Sequence, residues 1–127
     1  MEPASMTRMV TKKHLNSNGI LFGGQLMKWM DETAFIAAIR YTRKKMVTSS
    51  VDNIHFKAPI QEGTFLKITS TVKENTGLKL RIFTEVILEE IFTGRKRTAV
   101  ESWFSFVSLN EKDLPQRIER NQDTNNK

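Results

Sequence analysis

The chain has 127 residues, 39% of them apolar and 27% charged, with a formal net charge of +6; that length buries one core and excludes two independent domains. It has no cysteine and only two histidines, His14 and His55, which excludes disulfides, thiolate zinc sites, cysteine nucleophiles and a histidine-rich metal centre. The longest strongly apolar run, Thr33 to Ile39, is far shorter than the roughly 20 residues of a membrane span, and no signal peptide is readable after Met-Glu-Pro-Ala, so a soluble, cytoplasmic protein is expected.

Residues Met1 to Lys13 carry Met6, Met9 and Val10 among polar neighbours and read as a short first strand, weakly signalled. His14 to Gly24 is a loop of turn formers closed by Gly23-Gly24, after which the spacing predicts a helix from Gln25 to about Tyr41. Its apolar residues, from Leu26 and Met27 to Ile39, cover more than one face, as in a helix buried on most sides. Arg40, Arg43, Lys44 and Lys45 follow, and cations at the negative end of the helix dipole explain them better than phosphate binding does.

Four segments rich in β-branched and aromatic residues come next: Val47 to Phe56, Phe65 to Lys73, Lys79 to Glu90 and Lys96 to Ser108. Turn chemistry separates them, and alternation at Leu80, Ile82, Val86 and Leu88, and again at Phe104 and Phe106, gives each strand a core face. A sheet curled around one long helix is the layout that covers the helix, an α+β fold. The segment from Glu111 to Lys127 balances four acidic against four basic side chains and is read as a polar, disordered tail, with residues 1–110 as the folded domain. The positive charge therefore sits in the body, which suits an anionic partner such as nucleic acid or a small phosphorylated ligand.

Asp31 does not fit its surroundings. It lies well inside the apolar helix, two turns past Gly24, and the residues sharing its face, Met27, Ala34, Phe35 and Ala38, offer no charge partner. A desolvated carboxylate of this kind is a good base for activating water; a basic partner from another element or an edge position would be the structural explanation. Glu32 has an ordinary one, because Lys28 lies one turn before it. Gly23 and Gly24, at the start of the helix, let an acyl group approach while free amides point at its oxygen. The amide of Asn16 suits orientation of water or a carbonyl, although an asparagine in a loop is usually a turn former.

The run His14-Leu-Asn-Ser-Asn-Gly-Ile-Leu-Phe-Gly-Gly-Gln-Leu-Met-Lys-Trp-Met-Asp-Glu-Thr resembles the acyl-CoA hydrolase family of hotdog-fold thioesterases, and the likeness continues through Val47 to Phe56, Pro59 to Gly63, Thr76-Gly77 and Phe104 to Leu109. The resemblance implies one long central helix wrapped by a curved antiparallel sheet of about five strands. It implies a homodimer at least, with a trimer-of-dimers hexamer or a tetramer as the higher form, and an active site between subunits. It places catalysis on Asp31, Asn16 and Gly24, and substrate contacts on Gly23, Thr48, Lys57, Thr76 and Gly77. The implied ligand is an acyl-CoA, with coenzyme A as part of substrate and product, no other cofactor and no metal.

One departure stands out: Leu78-Lys79-Leu80 follows Thr76-Gly77 where many relatives have small hydroxyl residues. Lys57, Lys79, Arg81 and the Arg95-Lys96-Arg97 cluster are candidate phosphate partners and equally ordinary solvated charges. The expected function is hydrolysis of an acyl-CoA to a carboxylic acid and coenzyme A. A non-catalytic acyl-CoA-binding or sensory domain is the alternative, against which the retained Asp31 argues. Nucleic acid and membrane are not expected as partners, since stacking aromatics on a basic strand face are not evident, nor is a serine hydrolase, since no Gly-x-Ser-x-Gly elbow occurs.

Overall fold

The computed structural model describes residues 2–120. In chain order the elements are β1 (Ala4–Met9), a 3-10 turn (Lys12–His14), α1 (Gly23–Thr42), β2 (Met46–Phe56), β3 (Thr64–Asn75), β4 (Leu80–Glu90), β5 (Lys96–Leu109) and the two-residue β6 (Pro115–Gln116). All strand pairs are antiparallel, in the order β1-β3-β4-β5-β2, with β6 alongside β5. α1 packs on one face of the sheet and touches all five long strands, so the fold is the α+β hotdog arrangement of one helix in an antiparallel sheet.

The period-two pattern fixes which face meets the helix. In β4, Leu80, Ile82, Thr84, Val86 and Leu88 are buried while the residues between them are half-buried on the far side. Phe104 and Phe106 of β5 are wholly buried, each contributing roughly 1.5–3 kcal/mol of burial. Where the core contains hydroxyls they satisfy each other, as with Ser70 Oγ and Thr84 Oγ1, 2.7 Å apart on paired positions of β3 and β4.

α1 presents Leu26, Trp29, Met30, Thr33, Ala34, Ala37, Ala38 and Thr42 to the sheet, a stripe at helical spacing. The small residues on it let the helix lie close, and the Thr33 and Thr42 hydroxyls donate to the carbonyls of Trp29 and Ala38 one turn back, at 2.9 and 3.0 Å. The opposite face is open at Phe35, 45% exposed, while Met27, Ile36 and Ile39 are half-buried against the edge of the core. The helix is thus buried on one side of this chain, not on most sides as its composition suggests. Its first residue is Gly23, so the glycine pair forms the first turn and does not precede it.

The expected tail at 111–127 needs correction as far as 120. Ile118 is 4% exposed within the core. Its N–H donates to Gly77 O at 2.8 Å, and its carbonyl accepts from Asn75 Nδ2 at 3.3 Å. Gln116 Nε2 donates to Ser108 Oγ and to Leu109 O, at 2.9 and 3.0 Å. A single isoleucine and one glutamine dock the segment, a signal too sparse for composition to carry. Residues 121–127, the remainder of that expectation, lie outside the described residues.

Candidate active site

The loop before α1 is tied at both ends. Leu21 N–H donates to Ile60 O at 2.8 Å and Phe22 N–H to His14 O at 3.0 Å, while His14 itself sits edge-on to Trp29, ring centroids 4.9 Å apart. Between them Asn16 makes the turn: its Oδ1 accepts from the N–H groups of Asn18 and Ile20, at 2.8 and 3.1 Å. The amide oxygen of Asn16 is therefore structural, and its Nδ2 group has no hydrogen-bond partner among the described residues.

The N-cap of α1 is Phe22, which has no side-chain acceptor for the first-turn amides. The N–H groups of Gly23, Gly24 and Gln25 consequently make no hydrogen bond among the described residues. Both glycines are exposed, with open space where a Cβ would stand. Three free donors at the positive end of a helix dipole form a natural cradle for developing negative charge. Beside them lies a cavity of about 360 Å³ with walls that include Leu21, Gly23, Leu26, Phe56, Lys57 and Ile60. Lys57 sits on this rim and forms an ion pair with Glu101 of β5.

Asp31 is on the open face of α1, half-buried rather than enclosed in an apolar cleft. No cation lies within ion-pair distance of it among the described residues. Its Oδ1 accepts the Thr48 hydroxyl hydrogen at 2.7 Å. Thr48 pairs with the core residue Phe106, so it shares the helix-facing side of β2, and the register breaks just after it, between Thr48 and Ser50. Such a bulge re-aims side chains at the end of a strand; here one hydroxyl is brought over the helix to meet a carboxylate. A second cavity of about 360 Å³ opens at Asp31, lined also by Met6, Glu32, Phe35 and Ile36.

Glu32 does not pair with Lys28. Its carboxylate faces Arg8 of β1, Oε1 to Nη2 at 3.8 Å, and the Arg8 guanidinium also lies 5.7 Å from the Trp29 ring centroid. This draws the second carboxylate to the β1 side, away from the Thr48 side of Asp31. Nothing in the sequence marks Arg8 as its partner, because β1 is the weakest strand signal in the chain.

The structure brings Asp31 to Thr48 and Gly23 to Lys57. It does not bring Thr76 and Gly77 to either pair. They form the β3–β4 turn beside the C-terminal end of α1, where Asn75 reaches the Tyr41 hydroxyl at 3.4 Å. Thr76 Oγ1 accepts from the N–H of Leu78 and Lys79, at 3.3 and 2.9 Å, and Gly77 N–H donates to Asn75 Oδ1 at 2.8 Å. Gly77 has φ +92, a left-handed backbone that favours glycine, and the flexible end of the Arg117 side chain lies 2.9 Å from where a Cβ would sit. Within one chain these two residues hold a turn together.

A model of the thioesterase superfamily matches residues 18–91. The chain is 33% identical over 105 residues to the "Uncharacterized acyl-CoA thioester hydrolase YkhA" of Bacillus subtilis (strain 168), covering 83% of this chain and 61% of that protein. It therefore spans less than two thirds of that relative's length. The crystal structure of an acyl-CoA hydrolase from Bacillus cereus superposes with a TM-score of 0.89 at 29% identity, covering 98% of this chain and 78% of that one. An acyl-CoA hydrolase from Staphylococcus aureus, in complex with butyryl coenzyme A, coenzyme A and coenzyme A disulfide, superposes with a TM-score of 0.87 at 25% identity, covering 93% of this chain and 72% of that one.

Proposed function

The chain belongs to the thioesterase superfamily, and from that premise we propose that it hydrolyses acyl-CoA thioesters to a carboxylic acid and coenzyme A. The observation that carries the reading is the helix itself: a carboxylate aligned by a threonine hydroxyl on its open face, and a first turn of unbonded amides on two glycines. Asp31 removes a proton from water, or attacks the thioester carbon directly. The Gly24 N–H stabilises the oxyanion, and collapse of the tetrahedral intermediate expels the coenzyme A thiolate. Thr48 donates to one carboxylate oxygen and leaves the other lone pairs for the reaction. Asn16 Nδ2 orients water or carbonyl. Gly23 and Lys57 line the approach to the amide cradle; Thr76 and Gly77 contact substrate only if a neighbouring copy presents them.

Spacing supports an assembly of at least two copies. Asp31 is seven residues after Gly24, which at 1.5 Å per residue separates them by about 10 Å along the axis. A carbonyl whose oxygen sits about 3 Å from an amide and whose carbon sits about 3–3.5 Å from the attacking atom does not span that gap. A second chain closes it by supplying Gly24 and Asn16 to the first chain's Asp31. The open face of α1 around Phe35 suits a partner surface. A homodimer is the minimum, with a hexamer or tetramer as the larger form.

No described helix is long and apolar enough to cross a membrane, and a cytoplasmic location fits a cysteine-free chain. The folded unit is the 1–110 domain together with the docked segment up to Ile118.

The test is thiol release from short-, medium- and long-chain acyl-CoA by parent and Asp31→Asn proteins, both shown to be folded by circular dichroism. A loss of at least about a hundredfold in the variant, the scale of a lost general base, is the expected outcome; unchanged turnover would remove Asp31 from the reaction.

A further inference from the structure

The turn between β4 and β5 displays a side chain that the fold does not use. Glu90 N–H donates to Arg95 O and Gly94 N–H to Glu90 O, both at 2.9 Å, and Gly94 takes the positive φ, +73, that closes the loop. The Thr93 hydroxyl donates to Glu90 Oε1 at 3.3 Å and accepts from Arg95 N–H at 3.2 Å. None of these bonds involves the side chain at position 92, which is a phenylalanine, 97% exposed. A single exposed apolar residue needs no explanation by itself; what surrounds Phe92 gives it one.

Arg95, Lys96 and Arg97 follow the turn directly, all exposed. The end of β1 brings more positive charge to the same end of the sheet. Met9 pairs with Phe65, Val10 N–H donates to Thr64 O at 3.1 Å, and Thr64 pairs with Glu90. The 3-10 turn with exposed Lys12 and Lys13 therefore stands at the end of the molecule that bears Phe92. None of Lys12, Lys13, Arg95, Lys96 and Arg97 is in an ion pair among the described residues. The acids at this end are Glu62, Glu89 and Glu90. Glu90 is engaged by Thr93, and Glu89 faces Lys96 in register without reaching ion-pair distance. Met9, 54% exposed, is a second apolar group on this rim. Phe22 and Phe56 are exposed here too, but one caps α1 and the other lines the cavity beside Gly23.

A projecting aromatic ring with unpaired lysines and arginines set behind it suits the boundary between hydrocarbon and anionic headgroups. We propose that this end of the molecule docks on an anionic lipid bilayer, with Phe92 entering the headgroup–acyl boundary and Arg95, Lys96, Arg97, Lys12 and Lys13 lying among the lipid phosphates. Such a contact needs no spanning helix, so the short apolar runs of the chain do not count against it. Nucleic acid fits less well: single strands are held by successive aromatic faces along a basic groove, whereas Phe92 stands alone at an apex. The proposal is independent of the acyl-CoA reading, since it involves neither Asp31 and Thr48 nor the amides of Gly23 and Gly24.

Co-sedimentation with vesicles tests it, using phosphatidylcholine alone and equal parts of phosphatidylcholine and phosphatidylglycerol. The parent is expected on the anionic vesicles and not on the neutral ones, with binding that falls as salt is raised. Phe92→Ser should weaken binding about tenfold, and Arg95→Gln, Lys96→Gln and Arg97→Gln about fivefold each; circular dichroism checks that each variant is folded. Phe92→Trp should bind as the parent does. The emission it adds to that of Trp29 and Trp103 should shift to the blue on anionic vesicles and not on neutral ones. Parental binding by Phe92→Ser, no shift in Phe92→Trp, or equal binding to both kinds of vesicle overturns the proposal.

The other possible occupants of this surface are read in the same samples. A single-stranded oligonucleotide that binds at these cations and is not displaced by anionic vesicles would make it a nucleic-acid surface. A change in the oligomeric state of Phe92→Ser, measured by light scattering, would make it a contact between copies. Either result overturns the proposal; an unchanged oligomeric state with lost vesicle binding supports it, whether or not the chain hydrolyses acyl-CoA.

Discussion

The two ends of α1 are finished in opposite ways. At the N-terminal end the cap is a phenylalanine with no acceptor, the first residues are exposed glycines, and the first-turn amides are unbonded. At the C-terminal end Arg43 N–H and Thr42 Oγ1 close the last turn, and the chain past β5 returns to dock Ile118 beneath it. Unsatisfied helix ends cost stability, so a fold that leaves one end without a cap while partly closing the other puts anchoring at one end and free donors at the other. Asp31, between them, accepts the Thr48 hydroxyl hydrogen from a strand that is itself bulged.

Changes at the two ends should therefore be read by different instruments. The largest effect is expected from Gly24→Pro, which deletes an amide hydrogen that bonds to nothing among the described residues and places proline in the first turn, where it is tolerated. Turnover should fall by about 10²–10³, as when one oxyanion donor is removed, with thermal unfolding nearly unchanged. Mixing Gly24→Pro with Asp31→Asn subunits should restore thiol release, since a mixed pair rebuilds one complete site; no recovery after subunit exchange is verified would put both groups in one chain.

At the other end, Ile118→Ala should cost about 2–4 kcal/mol of unfolding free energy, seen as a lower denaturant midpoint. In the middle of the sheet, Ser70→Ala leaves the Thr84 hydroxyl alone and should cost about 1–3 kcal/mol. The smallest effect is a gain: Arg43→Gly relieves a left-handed arginine, worth about 1 kcal/mol, and should raise the melting temperature.

What could be read from residues alone follows from the kind of signal each left. The sheet was legible because Leu80 to Leu88 and Phe104 to Phe106 alternate, and alternation is a local property. Asp31 stood out for the same reason, as a carboxylate inside an apolar run. Its setting was not legible. The partner is Thr48, seventeen residues on, brought over by a register break that no composition encodes, and the helix that reads as buried on most sides keeps an open face in this chain. Arg8 and Ile118 escaped notice because each matters through long-range contacts from a segment with little pattern of its own. Gly77 shows the converse: a glycine expected at the substrate has a backbone angle that favours glycine whatever else it does.

The strand order also governs when the chain can become a protein. β3, β4 and β5 are consecutive hairpins, but both outer strands pair over great sequence distances: Ala4 with Ser70, and Met46 with Ser108. Contacts of that range place folding toward the slow end, on the order of milliseconds to seconds. A ribosome emitting this chain releases β1, α1 and β2 before the strands that pair with β1 and β2 exist. The first half must wait, apolar stripe only partly covered, until the β3–β5 meander has emerged to receive it, and the interval in which these residues most need protection from aggregation is the one before that meander is complete.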